Sequence, residues 1–105
     1  MIEGSQNRYV IRLELPSGIR LEDVRVRLHV GTKRGSYWIE EDDEDFRKLN
    51  DERMCEFIID TERTGRGQLY CEPYVVIPDD LSGEGRLIKI QDSIELDYVN
   101  KSRLG

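Results

Sequence analysis

The chain has 105 residues, 22 of them acidic and 16 basic, for a net charge of −6; this fits one ordinary domain and argues against a phosphate-neutralising surface for nucleic acid. Leu, Ile, Val and Phe together supply 29 residues, enough to build a small core. The longest apolar stretches, Phe57-Ile58-Ile59 and Tyr74-Val75-Val76-Ile77, fall far short of the roughly 20 residues that cross a bilayer, and the first eight residues carry neither the basic start nor the apolar stretch of a secretory signal, which favours the cytoplasm.

Alanine is absent while Ile and Val number 17, so the strongest helix former is missing and strand formers are abundant. Residues 8 to 15 alternate, with Tyr9, Ile11, Leu13 and Leu15 on one side, and Leu15-Pro16-Ser17-Gly18 ends that strand. Residues 24 to 30 repeat the pattern, placing Val24, Val26, Leu28 and Val30 inward and Arg25, Arg27 and His29 outward. A loop, Gly31 to Ser36, leads into a short strand Tyr37-Trp38-Ile39-Glu40. Six acids follow at Glu40 to Asp45, then Phe46 to Asp51, which reads equally as a brief strand or a helical turn. A strand is expected over about 53 to 60, a turn over Thr61 to Gly67, and a strand over 68 to 77, with Leu69, Cys71, Pro73, Val75 and Ile77 on one face. Pro73 cannot donate to a ladder and so predicts an edge or a bulge. Pro78 to Gly85 reads as a loop, Asp79-Asp80 supplying turn chemistry, and strands at about 86 to 91 and 94 to 99 close the chain around Asp92-Ser93. Seven or eight short antiparallel strands separated by turns predict an all-β fold, with an immunoglobulin-like β-sandwich over about residues 8 to 99 as the best match. Trp38 sits where such folds often bury a tryptophan.

The charge is unevenly placed. Residues 1 to 34 hold seven bases against four acids (+3), and residues 35 to 105 nine against eighteen (−9), a division that suits pairing with a neighbour or with a second copy. Arg25, Arg27, Lys33 and Arg34 are the basic candidates for that contact. Cys55 and Cys71 show no metal-type spacing and are expected as two buried thiols. Catalysis lacks its usual parts: His29 is the only histidine, no Gly-x-Ser-x-Gly elbow or phosphate-binding glycine motif occurs, and neither an enzyme nor a cofactor is expected. Asp42, Asp43 and Asp45 are weak candidates for a calcium site, because the run has no central glycine or ligand spacing of an EF-hand; a solvated acidic loop is the favoured reading. Tyr70 and Tyr74 share a strand face with Gln68 and Glu72, which makes that face the candidate for stacking on a sugar.

The phrases Leu15-Pro16-Ser17-Gly18, Leu21-Glu22-Asp23-Val24, Gly67-Gln68-Leu69, Ile77-Pro78-Asp79-Asp80, Gly85-Arg86 and Ile94-Glu95-Leu96 resemble the small immunoglobulin-like domains of phage and prophage tail proteins, especially baseplate upper proteins. The resemblance implies a structural module, cytoplasmic or virion-associated, that packs against neighbouring subunits without catalysis. The expected function is therefore a non-enzymatic interaction module that assembles through surface pairing, with protein partners or self-association, no nucleic acid and no membrane. Carbohydrate binding through the Tyr70 and Tyr74 face is the alternative.

Overall fold

Val26, Leu28 and Val30 are fully buried while Arg25, Arg27 and His29 between them stay at least partly exposed, the two-residue period of a strand with one face on a core. In the computed structural model, which describes residues 2–49, 53–79 and 81–101, that period organises eight strands among the described residues: β1 (Gln6–Arg12), β2 (Arg25–Gly31), β3 (Ser36–Glu40), β4 (Phe46–Leu49), β5 (Met54–Asp60), β6 (Gly67–Asp79), β7 (Ser82–Lys89) and β8 (Ile94–Val99). They form two antiparallel sheets packed as a sandwich, one ordered β1-β5-β4 and the other β3-β2-β6-β7, with β8 also paired to β6. The inner faces meet in a core that includes Leu13, Val26, Leu28, Cys55, Phe57, Ile59, Leu69, Cys71, Val75 and Val99. No helix among the described residues is long and apolar enough to cross a membrane.

Several sequence expectations change, and one that stood open between strand and helical turn is decided. The first strand covers 6–12 rather than 8–15, although Ile11 and Leu13 do face the core. Phe46–Leu49 resolves as a strand, paired to β5 from Phe46↔Phe57 to Leu49↔Met54. The 61–67 turn contains one helical turn, α1 (Thr61–Thr64), capped by the Asp60 carboxylate accepting from the Glu62 N–H at 3.0 Å. The 78–85 loop is mostly strand, because β6 runs on to Asp79 and β7 begins at Ser82; Asp80 lies outside the described residues.

Pro73 is the last of these. It is fully buried in β6, a strand paired on both sides, so it marks no sheet edge. β7 pairs Tyr74 to Asp79 and β8 pairs Gly67 to Cys71, so the two lie end to end along one side of β6. The Ile90 N–H donates to the Pro73 carbonyl at 3.2 Å on that side. A strand residue's N–H and C=O point the same way, so the donor that proline lacks falls just past the end of β7, where one bond to Ile90 is kept and only its reciprocal is missing, and the β2 side of the ladder is untouched.

Candidate interaction face

The outer face of the five-stranded sheet gathers side chains of opposite parity to the core. Register sets them in two rows: Glu40, Arg27, Tyr74 and Lys89 in one, Trp38, His29 and Glu72 in the next. Trp38 is the hub. The Arg27 guanidinium lies 4.4 Å from its ring centre, His29 4.8 Å and Tyr74 5.1 Å, a cation–π contact combined with tilted ring packing. The buried-tryptophan expectation is thus corrected. Ile39 takes the core position of β3 and Trp38, one residue earlier, faces out.

Around that hub the charges are paired. Arg27 Nε donates to both Glu40 oxygens at 3.0 Å, and Arg25 reaches Glu40 at 3.8 Å and Asp42 at 3.5 Å. Arg25 and Arg27, two of the seven bases of the first third, and the start of the acidic run therefore neutralise one another inside one chain. His29 Nδ1 lies 3.0 Å from Glu72 and Nε2 lies 3.1 Å from Ser36 Oγ, while Lys89 donates to Glu72 at 2.9 Å. The His29 and Lys89 hydrogen bonds hold the Glu72 carboxyl below its ordinary range, and Glu72 in turn raises Lys89.

Ser36, His29 and Glu72 have the bonding order of an acyl-transfer relay. The neighbouring Thr32 and Arg34 N–H groups are spent within the β2–β3 hairpin, on the Gly35 carbonyl at 2.9 Å and the Thr32 hydroxyl at 3.1 Å, so they are not converged on an oxyanion. The same bonds hold the His29 ring against Trp38.

Arg25, Arg27, Tyr70 and Tyr74 all lie on this face. Tyr74 is engaged with Trp38, whereas Tyr70 lines a separate depression of about 300 Å³ with His29, Lys33, Ser36, Glu72 and Ser93. Arg34 sits beside Gly65 at the hairpin tip. A second depression of about 340 Å³ lies between Arg25, Arg27, Glu40, Val76, Gly85 and Leu87. The acidic candidates do not converge. Asp42 pairs with Arg25, Asp43 accepts from the Glu40 N–H at 2.9 Å, and the Asp45 carbonyl accepts from the Ile58 N–H at 3.0 Å. Among the described residues no group of three His, Cys, Asp or Glu side chains is placed to hold a metal ion.

Both cysteines are free and buried in the core. Trp38 is the residue of this face that sequence reasoning placed wrongly; the alternation of Trp38 with Ile39, matched to the inward Leu28 opposite Ile39, carried the signal. No family model, curated protein or solved structure matches the chain.

Proposed function

We propose that the chain is a non-enzymatic interaction module of immunoglobulin type, of the kind found in phage and prophage tail proteins, that assembles with protein neighbours through the outer face of its five-stranded sheet. The strand order supports the immunoglobulin reading: β1-β5-β4 opposite β3-β2-β6-β7 corresponds to strands B-E-D opposite C′-C-F-G of the variable-type sandwich. The observation that carries the interaction reading is the half-exposed set of Trp38, Tyr74, Arg27 and Arg25, since aromatic and arginine side chains supply most of the energy at protein contacts. Arg25 and Arg27 already hold Glu40 and Asp42, so stacking contributes more than net charge and association is only moderately salt-sensitive. Light scattering over a range of concentration and salt tests this. The expected result is a mass that grows with concentration and reverts to monomer in Tyr74→Lys; a monomer under every condition sinks the self-pairing form of the proposal.

The Tyr70 depression favours a second reading, carbohydrate binding. One aromatic wall beside His29, Ser36, Glu72 and Ser93 is a set of groups that suits a sugar's hydroxyls. Glycan-array binding lost in Tyr70→Ala and Tyr74→Ala would select it over assembly.

A further inference from the structure

The edge of the other sheet has its own chemistry. Thr61 N–H donates to the Ser5 carbonyl at 3.0 Å and Leu13 N–H to the Arg53 carbonyl at 2.8 Å, and both contacts continue the β1–β5 register, Gln6↔Asp60 to Arg12↔Met54. In an antiparallel ladder the bonded pairs alternate. Asn7, Tyr9 and Ile11 therefore bond to β5, while the N–H and C=O groups of Gln6, Arg8, Val10 and Arg12 point away from it. Among the described residues β1 has no second strand partner. The Gln91 side chain closes the Arg12 end by donating to its carbonyl at 3.2 Å; Gln6, Arg8 and Val10 form the open length.

This edge is flat. The β1–β5 pairing runs for seven residues without a shift, whereas β6–β7 and β6–β8 both contain irregularities, and a regular, unbulged edge is a template for a further strand. Charged side chains often guard such edges, but Arg8 is drawn back over β5 by Glu56 at 2.9 Å, which Arg47 also grips at 2.8 Å. Val10 is left 48% exposed between Arg8 and Arg12. Arg12 pairs with none of the described acids.

We propose that β1 accepts an extended segment of another protein, in which acidic residues flank an apolar one at two-residue spacing, as a fourth strand of the β1-β5-β4 sheet. The Gln6, Arg8 and Val10 backbone groups bond the segment, and its acids and apolar residue lie opposite Arg8, Arg12 and Val10. A second copy of this chain is a poorer occupant, because two antiparallel β1 strands centred on Val10 set Arg8 opposite Arg12. The site is on the opposite sheet from the aromatic face and stands or falls independently of it.

The test is amide hydrogen exchange by NMR on the full chain, with the end-blocked synthetic heptapeptide Thr-Glu-Thr-Val-Thr-Glu-Thr, whose Glu, Val and Glu share one strand face, or the same peptide with Lys in place of Glu. In the free protein the Arg8 and Val10 amides should exchange fast and those of Asn7, Tyr9 and Ile11 slowly; the Glu peptide should slow Arg8 and Val10 by about tenfold or more, and the Lys peptide should not. Arg12→Glu should reverse that preference. Val10→Pro, which removes a donor facing away from β5, should abolish the response. The proposal is overturned if Arg8 and Val10 are already protected in the free protein, if their protection grows with protein concentration alone, if both peptides act equally, or if neither acts.

Discussion

Gln91 accepts a hydrogen bond from the Glu14 backbone N–H through Oε1 at 2.8 Å, and its Nε2 donates to the Arg12 carbonyl at 3.2 Å. One side-chain amide from the β7–β8 link thus occupies an acceptor on the last residue of β1 and a donor two residues beyond it, tying the two sheets together. Gln91→Ala should lower the unfolding free energy by about 1 kcal/mol, the net value of exposed bonds of this kind. Urea denaturation should show a lower midpoint with an unchanged slope. An unchanged midpoint would mean that water replaces both bonds without cost.

Glu72 makes part of the stability depend on acid. Its folded carboxyl titrates below the ordinary 4.5 because His29 and Lys89 hydrogen-bond the ionised form. A depressed carboxyl contributes stability that is present above the unfolded value and lost as pH falls through the folded one. The wild-type midpoint in urea should therefore decline as pH drops below about 4.5, and Glu72→Gln should flatten that decline while leaving the fold intact. Equal slopes for the two proteins would assign the acid sensitivity to other carboxylates, Glu56 first, whose titration Arg47 also lowers.

The residues that were legible in the sequence and those that were not differ in a physical way. The alternation at Val26, Leu28 and Val30 or at Leu69, Cys71 and Val75 reports burial directly, and every one of these side chains is in the core. Pro73 was misleading because its meaning depends on a long-range fact, the break between β7 and β8 on the far side of the strand. The 78–85 segment contains two glycines and a proline and still pairs, because Gly85, at φ 81°, allows close approach to the Val76 side chain. Charge distribution and parity point to Arg25 and Arg27, and parity to Tyr70 and Tyr74, but not to their pairings, since Glu40 and Asp42 reach Arg25 only through the β2–β3 register.

Cys55 and Cys71 should be chemically silent in the native state. Burial pushes the Cys55 thiol up to about 12 and raises Cys71 in the same direction, with Cys55 adding to the effect. At pH 8 the Cys55 thiolate fraction is then on the order of 1 in 10,000. A disulfide-exchange reagent should label neither thiol in native buffer and both in guanidinium, at a native rate set by unfolding. Fast labelling of either cysteine before unfolding would show that the core opens locally around it.

Gly31 sets the hairpin that delivers Ser36 to His29. A Cβ at Gly31 would lie 2.4 Å from the Gly35 carbonyl oxygen and 2.6 Å from the Ser36 Cα, both backbone atoms that no rotamer change can clear. Gly31→Ala should cost about 1–3 kcal/mol, the range for forcing an extra carbon into packed structure. It should also shift Trp38 fluorescence, because displacing Ser36 frees the His29 ring that rests on Trp38. Gly83→Ala is the control: its Cβ would meet nothing within 4 Å, and the change should stay within about 0.5 kcal/mol. If the two variants unfold together, the hairpin has room that the close approach at Gly31 denies.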